Sequence, residues 1–196
     1  GDELPAKYAS GSRVKLGGRA LIPAFGDSHI HFASFATFHA GLNVSDARSN
    51  AEILEMIRSF VPTCDDKMVI AFGASPHSVA EKKFVTRREL DEVCPDKPLF
   101  MVKYDGHTCV VNTKLMDILR EKAKNLRGYH EDTGEMNQEA FFVVSDHMSS
   151  SLPIPQLIGN MQRAMDHMAS RGIGLVHSVG GIGFPKDLDI SLEQWV

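Results

Sequence analysis

An alternation constrains this chain more than any other feature: apolar runs of strand length are separated by segments whose apolar residues recur at helical spacing. KMVIAFGAS, PLFMVKYDG and IGLVHSV are runs of the kind shown by parallel strands covered on both faces. Between them, Ile53, Leu54, Ile57 and Phe60 or Val61 share one helix face, with Ser49 or Asn50 as N-cap and Pro62 as stop. Thr86 caps a short helix, TRRELDEVC, in which Glu89 completes a capping box. A further helix is predicted over residues 113 to 124. After Pro153, Ile154, Leu157, Ile158, Met161, Met165 and Met168 trace an amphipathic helix that Arg171-Gly172 ends. Strand and helix alternate about four times, which predicts an α/β fold with a mainly parallel sheet. Residues 13 to 25, RVKLGGRALIPAF, predict a short hairpin around Gly17-Gly18 that feeds a buried strand ending in GDSHIHF. NLRGYHEDTGEMNQEAFFVV breaks the alternation; its turn formers predict a hairpin or a strand with a long loop.

Length and charge narrow the function classes. The 196 residues fall short of the roughly 250 that a closed (β/α) barrel takes. Lys and Arg number 21 against 25 Asp and Glu, with no basic block, so a nucleic-acid partner is not expected. No apolar run approaches the roughly 18 residues of a membrane span, and the opening GDELPAKYASGS has no signal-peptide pattern. Cys64, Cys94 and Cys109 are odd in number and show no CxxC, which argues against a disulfide framework or a thiolate metal site and fits a reducing cytoplasm.

The chemistry concentrates at GDSHIHF. His29 and His31 are two apart at a strand end, so both imidazoles can face one metal ion. Nine histidines in 196 positions give about 0.4 chance pairs at this separation, so spacing alone leaves a core-satisfied pair equally open. The context is an apolar strand, Pro23 and Gly26 punctuating it, and Asp27 two residues before the pair.

ALIPAFGDSHIHF resembles the first barrel strand of the amidohydrolase superfamily, which carries the metal-binding HxH. RRELDEVCPDKPLFMVKYDGHTCVVNTKLM, GEMNQEA and ASRGIGLVHSVGG resemble successive segments of its YtcJ-like branch, the one containing N-substituted formamide deformylase. The resemblance implies a TIM-like (β/α) barrel beside a small β-sandwich, with residues 1–20 a remnant of the sandwich and residues 21–196 the first half of the barrel. It also implies a divalent metal, most often zinc, held by His29 and His31, whose bound water attacks the C–N bond of an amide or N-acyl compound. The family's later histidines and its general-base Asp would lie beyond Val196, so the chain is expected to be an excised, inactive piece whose open strand edges favour a homo-oligomer. The alternative expectation is a non-catalytic binding or structural domain derived from such a barrel. Two departures stand out: Pro23-Ala24 replaces the family's Pro-Gly, and His177-Ser178 replaces its His-Asp.

Within the resemblance, Glu139 of GEMNQEA is a further metal-ligand candidate, the neutral amide of Gln138 being unable to offset a dication. His107 of DGHTCVVN lies where the family meets its small-molecule substrate, or is a loop histidine satisfied by backbone. Asn112 is a substrate-binding candidate or the cap of the helix after it, and His177 faces the pocket or the core. The remaining histidines have no partner at ligand spacing, and the methionine stripe reads as core.

Overall fold

The computed structural model describes residues 10–12, 14–181 and 187–196. The elements run β1 (Phe25–Ile30), α1 (Phe32–His39), β2 (Leu42–Asn43), α2 (Asn50–Phe60), β3 (Val69–Ala74), α3 (Arg87–Val93), β4 (Leu99–Lys103) and β5 (Thr108–Val111). They continue with α4 (Thr113–Ala123), β6 (Glu135–Asn137), α5 (Gln138–Ser151), α6 (Ile154–Ser170), β7 (Ile173–Ser178) and α7 (Leu188–Glu193). None of the described helices is long and apolar enough to cross a membrane.

The α/β class holds, with strands in two separate sheets. One has the order β2-β3-β4-β5-β6, parallel through β4 and antiparallel beyond it; the other pairs β1 with β7 in parallel. Among the described residues these sheets do not join, so the continuous curved sheet expected of a half-barrel is not seen; the strands lie in two sheets linked by βα connections. Half of the expected sandwich remnant, residues 1–9 and 13, lies outside the described residues, and residues 14–20 form no strand. Gly17-Gly18 do turn the chain, Arg19 N–H donating to Leu16 O at 3.2 Å, but no paired strands flank them.

Alternation along β3 and β4 sorts the core. Val69, Ala71, Leu99 and Met101 face Ile53, Ile57, Leu90 and Val93 of α2 and α3. Ile70, Phe100 and Val102 face the other way, toward Leu115, Leu119, Phe141, Val144 and Met148 of α4 and α5. Cover on both faces is what makes these strands continuously apolar. A third cluster packs Phe32, Ala33 and Ala36 of α1 on Leu157, Met161 and Ala164 of α6 over the inner side of the β1–β7 pair.

That pair corrects one expectation. β1 and β7 are largely exposed rather than buried, Phe25 at 61% and Leu175 at 72%, because among the described residues helices cover only one face of a two-stranded sheet. Two elements also differ from the predicted pattern. β5 turns back on β4 after Asp105, and the segment expected to be a hairpin or a strand with a long loop does bridge Tyr129 to Met136 and form β6, but then runs into the 14-residue helix α5. Met165 of the methionine stripe is 37% exposed; Asn160 and Ala164 take the inward positions beside Met161 and Met168.

The caps follow the sequence closely. Ser49 accepts from Glu52 N–H at 3.2 Å, and Thr86 with Glu89 forms the capping box, Thr86 N–H donating to Glu89 Oε2 at 2.6 Å. Gly172 takes φ +82 behind α6, a conformation that favours glycine, and its N–H donates to Ala169 O at 2.9 Å. Asn112 is fully buried and knots three elements together. Its Oδ1 accepts from Leu99 N–H and Leu115 N–H at 2.9 and 3.1 Å, while Nδ2 donates to Cys94 O and Lys97 O, both at 2.8 Å.

Asn112→Ala would strand two backbone N–H groups and two carbonyls, so it should destabilise the fold by about 3 kcal/mol in urea titration. A loss below 1 kcal/mol would show the knot to be dispensable. A second expectation concerns pH. Burial depresses the His39 pKa, helped by His167, whose ring centroid lies 4.4 Å away, and by Arg163; burial and then Lys122 depress that of His147. The fold prefers both neutral, so the stability they contribute is complete above about pH 6.5 and is lost as pH falls through their lowered folded values. Unfolding free energies at pH 7.5 and 5.5 should therefore diverge, and His39→Gln should narrow the gap.

Candidate functional site

Local backbone decides where the histidine pair points. His29 is on β1, its N–H held by Asp27 Oδ1 at 3.0 Å, and His31 stands at the N-cap of α1 with φ −91 and ψ 81. The irregular pairing of β1 with β7 then brings a carbonyl from the far end of the chain onto the ring: His31 Nδ1 lies 2.9 Å from Val179 O, while Val179 N–H donates to Ile30 O at 2.7 Å. A carbonyl only accepts, so the contact places the proton on Nδ1 and leaves the Nε2 lone pair outward. Metal-bound histidines are commonly oriented in this way.

The rings of His29 and His31 stand 5.5 Å apart, centroid to centroid, at 88°. Two imidazoles on one tetrahedral zinc, with Zn–N of about 2.0 Å, hold their centroids roughly 5 Å apart, so the spacing and the donor atoms fit a shared ion. Among the described residues no group of three or more His, Cys, Asp or Glu gathers closely enough to hold a metal. Glu139 accordingly stands apart from the pair. It sits in the first turn of α5, where Arg127 takes its carboxylate through Nε at 3.0 Å and Nη2 at 2.8 Å and lowers its pKa. The β6–α5 junction aims it at that arginine.

His31 and His107 share a cavity of about 320 Å³. Phe35, Phe38, Phe72, Tyr104, Phe141 and Phe142 supply most of its wall, with Asp105 at the rim. Burial pushes the Asp105 carboxyl up, but hydrogen bonds from Lys103 and from His107 N–H, with the Lys103 charge, outweigh it and hold the group below the usual range. The same contact raises the Lys103 pKa. A second cavity of about 380 Å³ is lined by His107, Thr108, Asn137, Gln138, Phe141 and Phe142.

Of the other predicted residues, Asn112 is wholly occupied by the knot described above and has no atom left for a ligand. The fold uses it as the cap that the sequence also allowed. His177 is exposed on β7 beside Ser178, whose hydroxyl donates to Glu193 Oε1 at 2.8 Å. Asp105 and the aromatic wall escaped the sequence reading. Phe35 and Phe38, three apart on α1, were the available signal, but the rings on β3 and α5 converge only through the tertiary fold.

A model of the amidohydrolase family matches residues 14–193. The chain is 29% identical over 111 residues to an N-substituted formamide deformylase of Arthrobacter pascens and 26% identical over 117 residues to a putative amidohydrolase, YtcJ, of Bacillus subtilis. These matches cover 54% and 57% of the chain but 20% and 22% of the relatives, so the chain spans about a fifth of the length of the curated relatives it matches. The crystal structure of an uncharacterized metal-dependent hydrolase from Pyrococcus horikoshii superposes with a TM-score of 0.61 at 22% identity, covering 81% of this chain and 31% of that one. That likeness is one of fold.

In a zinc titration of this chain followed by calorimetry, His29→Ala and His31→Ala should each weaken binding at least tenfold, and Glu139→Gln should leave it within twofold. Loss of affinity in Glu139→Gln equal to that in His31→Ala would show that the carboxylate leaves Arg127 for the metal.

Proposed function

Because the chain belongs to the amidohydrolase family, we propose that the protein built on it is a metal-dependent hydrolase cleaving the C–N bond of an amide or N-acyl compound in the cytoplasm. The observation that carries this reading is the His29–His31 pair, with His31 fixed by Val179 so that Nε2 is left for a metal. His29 and His31 would hold a divalent ion, most often zinc in such sites, which when bound activates water and polarises the carbonyl. The relative named N-substituted formamide deformylase supports the amide bond as the target.

The chain's own residues supply positioning. Val179 holds His31 in one tautomer and one orientation; the aromatic wall strips water from whatever enters the shared cavity. His107, exposed at that cavity and anchored through its backbone to Asp105, is placed to hydrogen-bond the substrate at its mouth. Three buried free thiols support a reducing setting.

The test is amide hydrolysis by the full-length, zinc-loaded protein across a panel of N-substituted formamides and acetamides, monitored by amine release. His31→Ala should lower kcat/KM at least a thousandfold, and His107→Ala should act mainly on KM. No turnover of any panel member at full metal loading would overturn the reading.

A further inference from the structure

Two histidines far apart in sequence meet where α1 and α6 end. α1 runs back from the C-terminal end of β1, and α6 leads into the N-terminal end of β7; because the strands are parallel, the helices lie side by side and finish together. His39 in the last turn of α1 and His167 in the last turn of α6 then stand with ring centroids 4.4 Å apart at 42°. We propose that this pair is a second metal site, a cross-helix chelate for an ion of the copper(II) or nickel(II) type that locks α1 onto α6. It is independent of the hydrolase reading and of the ion that His29 and His31 would hold.

Both rings are in a state to act as donors. His39 is exposed and His167 half-buried, and among the described residues no group hydrogen-bonds a ring nitrogen of either. Burial, then His167 and Arg163, depress the His39 pKa, so its imidazole is neutral at neutral pH, as a ligand must be. Arg163 itself is tied by Nη2 to Asn160 Oδ1, a turn earlier on α6. Both rings stand at helix C-termini, where the aligned peptide dipoles favour a cation.

Geometry then selects the ion. With metal–nitrogen bonds of about 2.0 Å, each centroid lies about 3.2 Å from the ion, so centroids 4.4 Å apart subtend roughly 90°. That is the angle between neighbouring ligands in tetragonal copper(II) or nickel(II), and it is narrower than the tetrahedral angle of zinc. His29 and His31, at 5.5 Å, suit zinc better. The two pairs cannot share an ion, since His31 and His39 bracket α1, roughly 12 Å apart along its axis. An ion across His39 and His167 pins together the helices that cover the β1–β7 pair, and with them the seat of His31 against Val179.

Copper(II), nickel(II) and zinc salts are the probes, on a metal-free chain carrying His29→Ala, which removes the first pair's chelate and keeps the bond from His31 to Val179. One copper ion per chain should bind, show two imidazole nitrogens by electron paramagnetic resonance, and raise Tm. Nickel should bind at least threefold more tightly than zinc. His39→Gln and His167→Gln should each weaken copper at least tenfold, and the two together hardly further, because either ring alone has lost the chelate. Copper affinity within twofold of the parent in either variant overturns the site, as does a single coordinated nitrogen, a count that needs neither variant. Zinc held more tightly than nickel would overturn the choice of ion.

Discussion

The parallel pairing of β1 with β7 is the constraint on which the rest depends. It joins residues almost 150 apart in sequence, and the bond from His31 to Val179 closes that loop at the point where the chemistry is placed. Everything between must fold so that α1 and α6 meet over the pair, which they do through Ala36, Met161 and Ala164. Small residues at the contact let the helices approach, and the interface covers the inner face of β1 and β7. A pairing of such long range repays its loop-closure entropy late, so the five-stranded sheet, with its shorter-range contacts, is the natural scaffold for it.

The sequence showed that scaffold clearly and the closing pair poorly. β3 and β4 announce themselves because helices cover both faces and the residues up to Lys103 at the end of β4 are apolar or glycine; Val69 and Ile70 are each buried on opposite sides. Ser49, Thr86 and Gly172 were legible for a local reason, since capping needs only neighbours in the chain. β1 and β7 carry the same apolar signature but no second layer, and composition does not say whether a second layer is there. Helix α5 was hidden by its own start. Turn formers lead into it, and Phe141, Phe142, Val143 and Val144 read as strand, although Ala140, Val144 and Met148 already recur every fourth residue on a buried face.

The site divides along the same line. A pair two residues apart can be read from the chain, and the structure keeps His29 and His31 together. Residues distant in sequence are a different matter: His31 and His107 share a cavity because β4 and β5 turn back at Asp105 just opposite the start of α1, a relation with no sequence signature. Glu139 and Asn112 show the converse. Each has a local partner that accounts for it, Arg127 in one case and the backbone of β4 and α4 in the other. Motif position made both look available; Asn112 has its full hydrogen-bond capacity taken, and Glu139 faces Arg127.

Gly128 ties these threads together at the β6–α5 junction. It takes φ +84, and any Cβ there would collide with the Asn137 carbonyl, so the loop after α4 is pressed directly against the residue whose side-chain oxygen is left unpaired. Asn137 N–H donates to Gly128 O at 3.0 Å, and Ala140 N–H to Arg127 O at 3.1 Å, so this loop cradles the first turn of α5 from outside. The Glu139 carboxylate clasps Arg127 on the same side and completes the cradle. Strain at Gln138 persists because its neighbours on both sides are pinned, leaving it no freedom to relax without breaking those bonds. The ion pair at Glu139 therefore helps to hold the junction whose residues Asn137 and Gln138 line the cavity beside His107: a residue whose motif position pointed toward the metal is engaged by the arginine of a neighbouring loop.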